Sequence, residues 1–140
     1  MANTVRQNIV ANMNTVLTAT SGINYVESNR ATPVKLDDVA LPACFIYPGG
    51  QVQILTPAEA AIGQETWDWD VVVECYTKTT TPEAMLQIIY NALYASRSRA
   101  GYAIRTTLMS VDPLDFDPTG EYQGLMLVFR IAYRNIVGTL

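Results

Sequence analysis

Residues 66–76, TWDWDVVVECY, change side-chain character at every step: Trp67, Trp69, Val71, Val73 and Cys75 fall on one side, and Asp68, Asp70, Val72, Glu74 and Tyr76 on the other. A repeat of two is the repeat of a β-strand, so this stretch predicts a strand with one face in a core and one toward solvent. The side bearing Asp68, Asp70 and Glu74 needs partners or water. The last strand candidate, residues 121–134, carries Arg130 and Arg134 on one face. If it lies beside residues 66–76, these charges pair across strands or across subunits.

Downstream of this strand, Thr81-Pro82-Glu83 is a helix start: a hydroxyl at N-cap, proline at N1 and a carboxylate in the first turn. Met85, Ile88, Ile89, Ala92 and Leu93 then form an apolar stripe. Arg97 and Arg99 are placed near the helix C-terminus, where cations are favoured, and Gly101 is expected to stop it. Two strands follow, over about residues 102–111 and 121–134. They flank residues 112–120, whose Pro113, Pro118 and Gly120 predict a turn-rich connection.

Upstream, residues 56–64 (TPAEAAIGQ) hold few large apolar side chains and predict a mobile hairpin loop. Before it, residues 43–47 read as a buried strand, Pro48-Gly49-Gly50 as a hairpin turn, and residues 51–55 as the next strand. Residues 28–38 are polar and contain proline, which marks a surface connection, and residues 23–27 are a short strand candidate. At the start, Asn3 or Thr4 caps a helix in which Val5, Ile9, Met13, Val16 and Leu17 share a stripe, ended by Gly22. The order α-β-β-β-α-β-β, with no internal repeat or linker, predicts one α+β domain over residues 1–140. Its sheet is mostly antiparallel, of four to five strands, packed by two main helices.

Composition restricts the chemistry. The 140 residues include no histidine, which removes Ser-His-Asp and Cys-His nucleophiles and histidine-anchored zinc. Hydrophobic residues make up 49% and mean hydropathy is +0.12, enough apolar surface for a folded core. Charged residues are only 16%, against roughly 25% in typical soluble domains, a surface suited to burial in an assembly. The net charge of −4 opposes a sequence-independent grip on nucleic acid, which needs clustered Lys and Arg. Residues 7–26 lack charge but carry several Asn and Thr, so no membrane span is expected, and there is no signal-peptide block. Cys44 and Cys75, inside apolar runs without CxxC spacing, are expected as buried free thiols.

Three motifs invite a site. Asp115, Asp117, Gly120 and Glu121 begin like a calcium loop, but the twelfth position is Met126 rather than a bidentate Glu, and Pro118 stiffens the middle. Asp68, Asp70 and Glu74 offer paired carboxylates for acid–base or magnesium chemistry, against an ion-pair or solvated-face reading. Gly49-Gly50 lacks both the spacing and the following helix of a phosphate loop. Eight tyrosines without a basic groove favour protein contacts over stacked bases. No catalytic residue, metal site or cofactor is assigned. The rivals are a metal hydrolase using Asp68, Asp70, Asp115 or Asp117, and a monomeric ligand-binding module.

Nearly the whole chain resembles the tail terminator proteins of long-tailed bacteriophages, a family including tail completion and minor tail proteins. The resemblance rests on an amphipathic N-terminal helix (VRQNIVANMNTVL), a connection into a strand pair (PACFIYPGGQVQIL) and a long strand (ETWDWDVVVECYTK). A capped helix (TPEAMLQIIYNAL) and a closing strand (EYQGLMLVFRIAYRN) complete it. It implies a non-enzymatic virion protein at the tail and neck, assembled in the host cytoplasm. Such a protein forms a ring, usually a hexamer, that stops tail tube polymerisation and meets the head connector or stopper. The nearest alternative is another neck component, a head-tail connector or stopper itself.

The implied partners are further copies of the chain, the tail tube protein, the connector or stopper, and genomic DNA passing through the lumen without specific binding. A duplex roughly 20 Å wide is too large for one such domain to enclose, so several copies are required. A closed ring joins unlike patches of neighbouring copies. Asp68, Asp70 and Glu74 against Arg97, Arg99, Arg130 and Arg134 are the candidate inter-subunit contacts. The loop containing Thr56, Glu59, Ile62 and Gln64 is the candidate contact to tube or connector.

Overall fold

The computed structural model describes residues 4–32, 39–54, 64–114 and 121–136. Helix α1 (Val5–Thr18) starts at Thr4, whose hydroxyl accepts from the Gln7 amide while the Gln7 side chain accepts from the Thr4 amide, a capping box that satisfies two donors at once. Strands β1 (Tyr25–Ser28), β2 (Ala43–Ile54) and β3 (Gln64–Thr77) follow. Helix α2 (Pro82–Tyr94) has Thr81 at N-cap and Pro82 at its first position. Strands β4 (Arg105–Leu114) and β5 (Gln123–Ile136) close the chain.

The observed order is the expected α-β-β-β-α-β-β. The five strands form one sheet in the order β1-β2-β3-β5-β4. It is mixed rather than wholly antiparallel, because β1 runs parallel to β2. The connection of 14 residues between them, 29–42, has the dozen or more that a parallel return needs.

Both helices lie on one face. Ile9, Met13 and Leu17 of α1 and Met85, Ile89 and Leu93 of α2 share a core with Cys44, Trp69, Val71, Val73, Cys75, Leu127, Phe129 and Ile131 of the sheet. The alternation in residues 66–76 is therefore the boundary of this core, with Trp69, Val71, Val73 and Cys75 all buried. Cys44 and Cys75 oppose each other across β2 and β3 as buried free thiols, as expected.

Three boundaries differ from expectation, each for a physical reason. Residues 43–55 are not two strands around a turn: β2 runs through Pro48-Gly49-Gly50, which form a bulge where the register with β3 shifts between Pro48 and Gln51. The strand pair read from PACFIYPGGQVQIL is thus one bent strand. Strand β4 extends through Asp112 and Pro113 because it is the sheet's edge, where a residue without an N–H is tolerated. Helix α2 stops at Tyr94, before Arg97 and Gly101. Beyond it the Arg99 side chain donates to the Leu93 and Ser96 carbonyls, so a side chain takes up acceptors that another helical turn would have used. No helix among the described residues is long and apolar enough to cross a membrane.

Candidate functional site

No helix among the described elements covers the other face of the sheet, and most of the charged residues singled out from the sequence lie there. Its geometry follows from the strand register. Two rows of side chains run across the sheet: Arg105 of β4, Ala132 of β5 and Asp68 of β3, then Thr107, Arg130 and Asp70. Ala132 is small and its neighbours are long, so a depression of about 500 Å³ opens over it, lined by Asp68, Arg97, Arg105, Thr107, Met109, Arg130 and Ala132.

Arg130 donates to both oxygens of Asp70, at 3.0 and 3.4 Å. That bond and the carboxylate charge hold the guanidinium above its ordinary range. The pairing across strands considered from the sequence is thus present within one chain. Both partners are substantially exposed, so the pair is screened by water and ions. Asp70→Asn is expected to lower the melting temperature by no more than about 3 °C. A larger drop in thermal denaturation would mean that the pair holds the strands in place.

Arg97 lies in the connection beyond α2. Its guanidinium stacks on Tyr94, 4.5 Å from the ring centroid, and donates to the Thr106 carbonyl at 2.8 Å and the Thr107 hydroxyl at 3.2 Å. Arg134 is exposed on the same face, opposite Thr66. Glu74 is set apart, about 13 Å along β3 from Asp70, and accepts a 2.8 Å hydrogen bond from the Tyr76 hydroxyl.

Arg99 belongs elsewhere. Its side chain is only 1% exposed, folded back onto the end of α2 in a loop where Arg99, Ala100 and Gly101 all have positive φ. Burial lowers its affinity for its proton. Arg99, expected from the sequence at a subunit boundary, is here buried and donates from one guanidinium nitrogen to carbonyls of its own chain. Arg105 was missed, because it joins the cluster only through the β4–β5 register, which shifts between Leu108 and Ser110.

Of the candidate tube-contact loop, Thr56, Glu59 and Ile62 lie outside the described residues, while Gln64 already begins β3. Asp115, Asp117 and Gly120 of the calcium-like segment also lie outside them. Glu121 pairs with Lys78 at 2.8 Å. Among the described residues no group of three or more Cys, Asp or Glu side chains is disposed to hold a metal ion.

The same face carries an aromatic group at the β1 side. Phe45, fully buried despite facing away from the helices, lies between Tyr25 (centroids 5.9 Å apart) and Tyr76 (5.7 Å, edge-on). Burial first, then the hydrogen bond to Glu74, raises the Tyr76 hydroxyl well above the ordinary tyrosine range. The Cys44 thiol is raised too, by its hydrogen bond with Cys75 and by burial. The fold therefore keeps both protons at pH values where the unfolded chain loses them, near 8.5 for Cys and 10 for Tyr. Their stabilisation is complete below those values and is lost as pH rises. The melting temperature is expected to fall above about pH 8.5 and faster above about pH 10. Tyr76→Phe should flatten the second part of a pH 8–11 melting series, and an unchanged decline would refute this assignment.

A two-layer α+β domain with one helix-packed face and one face of charged and aromatic side chains that no helix among the described residues covers is the class of molecule these features define. No protein-family model matches the chain, and no curated protein matches it. Among solved structures it is similar to a chain of one described as "Virion of native gene transfer agent (GTA) particle", with 12% identity and a TM-score of 0.43, covering 94% of this chain and 92% of that one.

Proposed function

We propose that the chain is a non-enzymatic structural protein of a phage virion. It forms a ring at the head-proximal end of the tail, ends tube polymerisation and makes the joint to the head connector. The observation that carries this reading is the open sheet face, bounded by two unlike edges. One edge is the short parallel β1 beside β2, and the other is the bulged antiparallel β4. A surface whose two ends differ favours head-to-tail contacts, and such contacts close into rings when the rotation permits. The acidic net charge suits a lumen that lets DNA slide.

Asp68, Arg97, Arg130 and Arg134 remain candidate inter-subunit residues in this reading, Arg105 joins them, and Asp70 acts by orienting Arg130. Residues 56–64 are the candidate contact to the tube or connector in this reading.

Deleting the gene tests the reading. Loss of a terminator gives overlong tails without heads, seen by electron microscopy. Normal tails with leaking heads would instead assign the chain to the connector or stopper. Purified protein added to tail tubes is expected to cap them at one end, and absence of capping together with normal tail length would reject the terminator role.

A further inference from the structure

The open-face depression is positively charged in an acidic chain. Three guanidinium groups, of Arg97, Arg105 and Arg130, line it with a single carboxylate, Asp68. Arg130 is engaged by Asp70, Arg97 is held by uncharged acceptors, and Arg105 is exposed with no ion pair among the described residues. A depression of this kind calls for an anionic partner.

The charge distribution narrows what that partner is. Of the four carboxylates on β3, three are engaged at this face: Asp70 binds Arg130, Glu74 accepts from Tyr76, and Asp68 is part of the depression itself. Residues 112–121, DPLDFDPTGE, hold four of the chain's 13 acidic residues, as many as 65–74 of β3, but β3 is paired on both sides within the sheet. Glu121 is held by Lys78, so the charge that matters is that of Asp112, Asp115 and Asp117. This segment joins β4 to β5 at the far end of that hairpin: Leu114 is opposite Gly124, whereas Arg105 is opposite Ala132. The ten residues of β4 separate the two ends by about 30 Å. Only eight residues, 115–122, join Leu114 to Gln123, too few to cover about 30 Å and return, so the acidic segment can reach such a depression only on another copy.

We propose that the Arg97, Arg105 and Arg130 depression receives the acidic β4–β5 connection, residues 112–121, of a second copy of this chain. The contact is head-to-tail, since it joins the base of one hairpin to the tip of the next, and it supplies a partner for Arg105. It rests on the ring reading above for its biological setting, but the contact is a claim of its own.

The test uses the full-length protein and a fluorescent peptide of residues 111–122, titrated by anisotropy. The expected result is saturable binding that weakens with salt, falls about tenfold or more with Arg105→Glu, and exceeds binding of a scrambled peptide of the same composition. Arg105 is exposed, so the variant should keep the wild-type melting profile. In parallel, light scattering should show that Arg105→Glu and Asp115→Arg/Asp117→Arg each impair self-association and that mixing the two restores it, because opposite charges then meet at the shared contact; no recovery on mixing overturns the proposal. No peptide binding, equal binding by Arg105→Glu, or equal binding of the scrambled peptide overturns the proposal, even if the protein forms rings. Displacement of the peptide by duplex DNA at lower concentration than by unlabelled peptide also overturns it, assigning the depression to phosphates. Peptide binding lost with Arg105→Glu, in a protein that never caps tubes, upholds the contact and rejects the terminator role.

Discussion

Trp69→Ala is expected to lower the unfolding free energy by about 3–5 kcal/mol, as measured by urea denaturation. The indole is 1% exposed and among the largest fully buried side chains. It is held from two sides: the Arg6 guanidinium stacks on it at 4.5 Å from the centroid, and Tyr133 meets it edge-on at 6.3 Å. Arg6 belongs to α1 and Tyr133 to β5, so truncation leaves a cavity where helix and sheet meet. For a domain whose whole stability is about 5–15 kcal/mol, that is a large fraction. Trp69→Phe separates packing from polarity. The Trp69 indole nitrogen is buried without a hydrogen-bond acceptor, so replacing it forfeits area but breaks no bond. A loss of about 1–2 kcal/mol is expected, well below that of Ala. If the two variants lose the same amount, volume at this position is not what matters. The site is affected too, because Trp69 stands between Asp68 and Asp70 in sequence and its packing fixes the pleat that turns both carboxylates to the open face.

Trp69 also illustrates why part of the structure could be read without coordinates. Residues 66–76 show their period because one face is packed by helices and the other is not, a difference that side-chain polarity records directly. The helix starts at Thr4 and Thr81 were legible for a similar reason: capping is a local transaction between residues three apart. What escaped depends on neighbours distant in sequence. Pro113 argues for a turn until β4 is known to be an edge strand. Arg97 and Arg99 are both cations beyond a helix, yet one lies by the open face and the other is buried, because Arg99 is the first of three consecutive residues with positive φ, where the chain changes course. Arg105 has no local signal at all. Its place beside Arg130 is set by the count of residues across a bulge in β4, and the candidate site was therefore legible only in part.

Gly49→Ala is expected to cost about 1–3 kcal/mol, the range for overfilling a packed position. As the middle of a PGG turn, Gly49 would be needed for its freedom of φ, and the neighbouring glycine would matter as much. The bulge imposes a different requirement. A Cβ on Gly49 would sit 2.6 Å from the backbone oxygen of Asp70 and 3.2 Å from its carbonyl carbon, a clash with the main chain of β3 that no side-chain rotation relieves. At Gly50 nothing lies within 4 Å of the same atom, so Gly50→Ala should change stability by less than about 0.5 kcal/mol. A turn predicts comparable losses at both positions, whereas the bulge predicts a loss at the first alone; urea denaturation of the two variants distinguishes them. The effect also reaches the candidate site. Asp70 both receives the close approach of Gly49 through its backbone and binds Arg130 through its side chain. Pushing β3 away from β2 at this residue shifts the carboxylate that orients Arg130, so Gly49→Ala should weaken binding of the 111–122 peptide while Gly50→Ala leaves it unchanged. Glycine at position 49 thus links the bend in β2 to the position of a charge two strands away.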